Sequence, residues 1–294
     1  MDNPHLLSPE MMVDLKRLEL RSKRSVDSDL IGQYRSSFKG SGLLFSDLRQ
    51  YEPGDDIKHI HWKATARAGR PFVKTYQEER QLRVLLALDI SASTLWGSPK
   101  TKHTRALEFA ALLTILAQNN NDSIGLCLFD EDVVEFIRPS SKRSHFQRVL
   151  RALMDKRALK RETNLNSALT FLREYSPRSS VIFVISDFLT SNFEKSLNAL
   201  SSKNDVIGVS LINSNEEILP EAGLVELHDA EADEVTIIDT SSARTRQALK
   251  KAISEKLQDA KIQFQKAKSD FIEIESNPIK PLLDLMKQRT RRLR

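Results

Sequence analysis

The chain has 294 residues, 40% apolar and 29% charged, with nine Gly and ten Pro; such a composition can bury a core, which excludes disorder or a fibrous repeat as a description of the whole. A single cysteine, Cys127, excludes an intrachain disulfide and a cysteine zinc site. The net charge of +5 is matched by residues 278–294 alone, where six basic residues accompany one acidic one, so the basicity belongs to a C-terminal tail and not to the fold.

No run approaches the roughly 18 consecutive apolar residues of a membrane span. The first twenty residues carry acids where a signal peptide would be basic and then apolar, so a cytoplasmic chain is expected. Residues 8–24 read as an amphipathic helix, with Ser8 as N-cap and Pro9 at the first helical position. Residues 25–42 read as a polar connection ending in Gly40-Ser41-Gly42. Residues 43–80 are dense in charge and irregular, with turn signals at Pro53-Gly54-Asp55 and Gly69-Arg70-Pro71 and one strand over 72–78.

From residue 82 strands alternate with helices. Strands are predicted at 83–91, 123–129, 133–139, 180–188 and 205–212, and helices at 103–118, 144–154, 164–175 and 192–201. The main strands are apolar on both faces, which predicts a doubly wound α/β domain with a mostly parallel sheet between helical layers. A long helix follows over 241–268, with Leu249, Ile253, Leu257, Ala260, Phe264 and Ala267 at 3–4 spacing. Packing on the domain is the reading preferred to a coiled coil, which three heptads support weakly. A last strand at 271–276, a short helix and the basic tail close the chain. The expected division is 1–80, 81–240 and 241–294, the middle part being the α/β domain.

Ligand sites in open α/β sheets lie beyond the carboxyl ends of the strands. The first strand runs into Asp89-Ile90-Ser91-Ala92-Ser93, and the i, i+2, i+4 spacing aims one carboxylate and two hydroxyls the same way. The strand 180–188 ends in Ser186-Asp187, and Thr163 can reach the same rim from the loop before its helix. All five candidates, Asp89, Ser91, Ser93, Thr163 and Asp187, are hard oxygen donors, suited to Mg²⁺ or Mn²⁺ and ill suited to softer metals. Two carboxylates at one rim repel unless a cation lies between them. A hydroxyl-rich shell leaves that cation electrophilic, ready to accept a carboxylate from a protein partner.

The Asp89-x-Ser91-x-Ser93, Thr163, Asp187 set resembles the metal-ion-dependent adhesion site of von Willebrand factor A domains. The resemblance implies that both serines and the threonine bind the metal while the aspartates act directly or through water. Upstream, residues 40–79 resemble the prokaryotic "domain of unknown function 58" family, through Phe45, Arg49, Tyr51, Gly54, Asp55, Asp56, Ile60, Trp62, Ala66 and Arg67. His61 stands where that family usually has Asp. The resemblance implies a link to MoxR-type AAA ATPases and chaperone-like or assembly work, so an interaction protein is expected and not an enzyme.

Arg49, Tyr51, Asp55, Asp56, Trp62 and Arg67 form a candidate partner-binding cluster. Their competing reading is an internal salt-bridge network that pins the 43–80 segment onto the domain, with Tyr51 and Trp62 as packing anchors. His59 and His61 lack a third ligand nearby, and Cys127 reads as a small core residue. Two other functions stay open: a metal-dependent phosphoester hydrolase using the same pocket, and a nucleic-acid-binding factor using the tail. The first lacks a nearby general base, and residues 97–102 lack the second glycine of a P-loop. The second lacks any recognised binding motif.

Overall fold

A computed structural model describes residues 28–38, 44–77, 81–91, 94, 101–154, 163–212, 223–229, 234–239, 241–275 and 277–292. The helix expected at 8–24 lies outside them. The chain divides into two compact units, one of residues 39–82 and one of residues 1–38 with 83–294.

The smaller unit pairs β1 (Leu44–Gln50) with β2 (Phe72–Gln77) antiparallel. Between them come a short 3₁₀ turn, Ile57–His59, and the helix α2, Trp62–Ala68. Asp56 caps the 3₁₀ turn by accepting from the Lys58 amide at 3.0 Å, and His61 Nδ1 accepts from the Ala64 amide at 3.0 Å to cap α2. His61 thus does the capping work an Asp would do there. Gly69 ends α2 in the left-handed region at φ 69°, where a side chain would be strained. The segment read as irregular is therefore a hairpin carrying a helix, because its charges sit on turns and caps.

In the larger unit, the sheet contains β3 (Arg83–Asp89), β4 (Ser123–Phe129), β5 (Val133–Ser140), β6 (Val181–Ser186), β7 (Asp205–Leu211) and β10 (Asp270–Ile274). Their order is β10-β7-β6-β3-β4-β5, and every pairing is parallel except β4 with β5. A hairpin of β8 (Leu224–Asp229) and β9 (Glu234–Asp239) lies in a stretch where no strands were expected. The helices are α1 (Ser28–Ser37), α3 (Lys102–Asn119), α4 (Arg143–Met154), α5 (Leu165–Tyr175), α6 (Glu194–Ser201), α7 (Ala243–Lys266) and α8 (Ile279–Arg292). This is the expected doubly wound α/β architecture.

Alternation along each strand assigns the two faces. Leu85, Ala87, Ile182, Val184 and Val206 share a buried cluster with α5, α6 and the Ala260–Phe264 end of α7. On the opposite face Phe183 meets Phe109 of α3 and Phe38 beyond α1, edge-on at 6.0 and 5.9 Å. Gly208 permits a close approach: a Cβ there would lie 2.6 Å from Phe271 and 2.8 Å from Phe264. Cys127 is buried as expected, and burial pushes its thiol up to about 12.

Residues 25–42 are not merely a polar connection. Leu30, Tyr34 and Phe38 recur every fourth residue and are all buried, so a mostly polar sequence forms α1 on one narrow apolar stripe. The tail is likewise more than a solvated helix end. Arg289, with 11% of its side chain exposed, holds Asp270 at 2.6 Å and Asp205, and lies 5.0 Å over the Phe38 ring. Arg292 adds a second contact to Asp270 at 2.8 Å.

Candidate metal centre

Asp89 ends the central strand with its carboxylate fully buried. Its Oδ1 accepts from the Ser91 amide at 2.9 Å and its Oδ2 from the Ser186 hydroxyl at 2.7 Å. Thr94 closes the turn, its hydroxyl donating to the Ser91 carbonyl at 2.7 Å. Burial pushes the Asp89 carboxyl up to about 6, with the Asp187 charge adding to the rise while the Ser91 and Ser186 hydrogen bonds oppose it. A desolvated acid beside a second acid favours the proton or another cation.

Asp187 follows β6. The next residue, Phe188, takes the left-handed conformation at φ 55°, a costly choice for a bulky side chain. Its ring is buried edge-on against Phe264 at 5.3 Å, and its amide donates to the Ser186 hydroxyl at 3.2 Å, so packing and hydrogen bonding hold the turn. Asp187 Oδ1 accepts from the Leu189 amide at 3.3 Å, and its Oδ2 meets Lys102 Nζ at 3.2 Å. Both side chains of that pair are 4% exposed.

The structure thus brings Asp89, Ser91 and Asp187 together at the rim. Thr163 is half-buried. The amide of the adjoining Asn164 donates to the Asp130 carbonyl at 2.8 Å, fixing the start of α5 to the end of β4. Ser93 lies outside the described residues. Among the described residues no group of three or more His, Cys, Asp or Glu could hold a metal ion. An ion at this rim would therefore need the hydroxyls, and the hard-oxygen set with its desolvated Asp89 fits a small divalent cation.

Three rim residues escaped the sequence reading. Ser186 was named as a neighbour of Asp187, yet its hydroxyl is what bridges Asp89 to the Phe188 turn. Lys102 gave no signal, because a lysine opening a helix is ordinary. Asp130, buried at the end of β4, accepts from the Asp132 amide at 3.2 Å and shapes its own turn.

In the smaller unit Arg49 pairs with Asp55 at 2.5 Å, Asp55 also accepts from the Glu52 amide at 2.9 Å, and the Tyr51 amide donates to the Pro71 carbonyl at 2.9 Å. All of these contacts lie within the smaller unit. Arg67 and Asp56 are exposed, and Trp62 is 67% exposed, so it is no packing anchor.

A family model described as "Protein of unknown function DUF58" matches residues 47–259. The uncharacterized protein Rv1480 of Mycobacterium tuberculosis is 29% identical over 228 residues, covering 76% of this chain and 72% of its own length. Among solved structures, the chain is similar to the conserved hypothetical protein BatB from Bacteroides thetaiotaomicron, at 16% identity and a TM-score of 0.46 over 71% of this chain and 99% of that one. It is also similar to a von Willebrand factor type A protein from Catenulispora acidiphila, at 9% identity and a TM-score of 0.39 over 87% of this chain and 47% of that one.

Proposed function

The chain belongs to the DUF58 family, and on that footing we propose that it is a metal-dependent protein-interaction module. In this reading Asp89, Ser91, Ser93, Thr163 and Asp187 hold Mg²⁺ or Mn²⁺, and an exposed carboxylate of a protein partner completes the site. The observation that carries the reading is the buried Asp89 carboxylate, served by hydroxyls and an amide and set beside a second buried acid. When bound, the ion supplies an electrophilic centre that accepts one more anionic oxygen.

The chain's own residues do the positioning. The Ser91 amide and Ser186 hydroxyl fix both oxygens of Asp89, so the acid is oriented before any ligand arrives. The Phe188 turn aims Asp187, and Lys102 supplies one positive charge at the rim. A MoxR-type AAA ATPase is the partner that the family resemblance favours, and the module is proposed to act by binding and not by catalysis.

The test is a crosslinking pull-down from a native lysate, with Mg²⁺ or with EDTA. Partner capture is expected with Mg²⁺ and is expected to be lost in EDTA and in Asp89→Ala or Ser91→Ala chains that still melt cooperatively. Capture indifferent to the chelator refutes the reading.

A further inference from the structure

The two most exposed large apolar side chains among the described residues are Trp62, at 67%, and Ile57, at 65%. Both belong to the smaller unit, one on α2 and one on the 3₁₀ turn before it. Side chains this exposed project from the surface and do not line a recess. Two of them in so short a segment point to something that covers them.

Charge is segregated in the same stretch. Residues 57–73 hold four Lys or Arg and no Asp or Glu, and Lys58, Lys63, Arg67 and Arg70 are all exposed. The acids just upstream are engaged: Asp55 pairs with Arg49 at 2.5 Å, and Asp56 accepts from the Lys58 amide at 3.0 Å. The Thr65 hydroxyl accepts from the Phe72 amide at 3.0 Å, which turns that side of α2 toward β2. At about 100° per residue, Trp62, Ala66, Lys63 and Arg67 then occupy one continuous arc, with Lys63 and Arg67 on the side away from Thr65. Lys63 and Arg67 are also a like-charge pair at i, i+4, an arrangement that weakens a helix in water. An anionic surface relieves it.

Cations with no acid among them, a projecting indole and a projecting aliphatic group together match an anionic lipid surface. Each Lys or Arg near such a surface favours binding by about fivefold, and Trp is at home at the level of the headgroups. A nucleic acid would use the cations and stack on Trp62, but it would leave Ile57 without a role. An acidic peptide would use the charges, but projecting side chains offer it no recess to fill.

We propose that this face of the smaller unit binds the surface of an anionic bilayer, with Lys58, Lys63, Arg67 and Arg70 against the headgroups and Trp62 and Ile57 inserted among them. The contact is peripheral, and it does not rest on the metal reading.

The test mixes the full chain, in EDTA, with vesicles of phosphatidylcholine alone or of equal parts phosphatidylcholine and phosphatidylglycerol. It reads cosedimentation and tryptophan emission. Cosedimentation with the anionic vesicles alone is expected, falling as salt rises, together with a blue shift of the emission. A chain carrying both Lys63→Gln and Arg67→Gln is expected to bind about 25-fold more weakly, from two charges at about fivefold each. Trp62→Ala is expected to weaken binding severalfold and to abolish the blue shift. All three positions are exposed, so both variants are expected to melt as the parent does. Absent binding to anionic vesicles, equal binding to neutral ones, affinity unchanged in both variants, or binding without a blue shift overturns the proposal. So does a single-stranded oligonucleotide or a polyglutamate peptide that binds the chain more tightly than anionic vesicles at matched charge, and either result assigns the face to that class of partner. Because the mixture contains EDTA, its failure leaves the pull-down outcome untouched, and the converse holds.

Discussion

Replacing Lys102 with Met removes the only cation that touches Asp187 among the described residues and keeps much of the aliphatic bulk. Two buried acids then share a rim, with Asp89 already pushed up to about 6 by burial and by Asp187. Breaking one partner out of a buried pair costs about 3–5 kcal/mol. The low end applies, because Asp187 keeps the Leu189 amide at 3.3 Å. For a chain of this size about 3 kcal/mol corresponds to a fall in Tm of about 6–12 °C. The assay is thermal melting at pH 7.5, with EDTA and then with Mg²⁺ at millimolar concentration. In EDTA the variant is expected to show that loss, and Mg²⁺ is expected to restore more of it than it adds to the parent. A variant melting within a degree of the parent in EDTA would refute the placement of Lys102 on Asp187. A full loss that Mg²⁺ leaves unrelieved would refute the divalent site.

Further outcomes follow from the same contacts. The Asp89 carboxyl sits at about 6 in the native state, against about 3.9 for an unfolded Asp. Its contribution to stability in EDTA is therefore full below about pH 4 and lost as pH rises through 6. Urea titrations from pH 4 to 8 check this, and Asp89→Asn is expected to flatten that part of the profile. Arg289→Met leaves Asp270 with Arg292 as its remaining cation and is expected to destabilise by about 1–3 kcal/mol, measured as a lower urea midpoint with m unchanged. If Arg289 instead serves nucleic acid, the variant keeps its midpoint and loses salt-sensitive DNA retention.

The sheet was legible because strands buried on both faces have no polar alternative: Leu85–Leu88 and Ile182–Ile185 can only be interior. Asp89 and Asp187 were legible because they sit where apolar runs stop. The smaller unit was harder to read, since its order rests on caps and turns such as the His61 contact to Ala64, which use the same polar residues as a loop. α1 escaped because three apolar residues in a polar stretch carry its packing. Lys102 and Arg289 were beyond any local reading, their partners being 85 residues away for one and 84 and 19 for the other. Trp62 misled because an aromatic among charges reads as a buried anchor, whereas here it faces water.

The clasp between α1 and α8 bears on how this chain leaves the ribosome. The Ser37 hydroxyl donates to the Met286 carbonyl at 2.8 Å, and Arg289 lies over Phe38, so α1 waits for a partner synthesised 249 residues after it. Until α8 has emerged, the Tyr34–Phe38 stripe lacks part of its cover, and a nascent chain carries it so while the intervening strands and helices are made. A chain cut short before α8 would thus present an apolar flank that invites capture by a holdase or a protease.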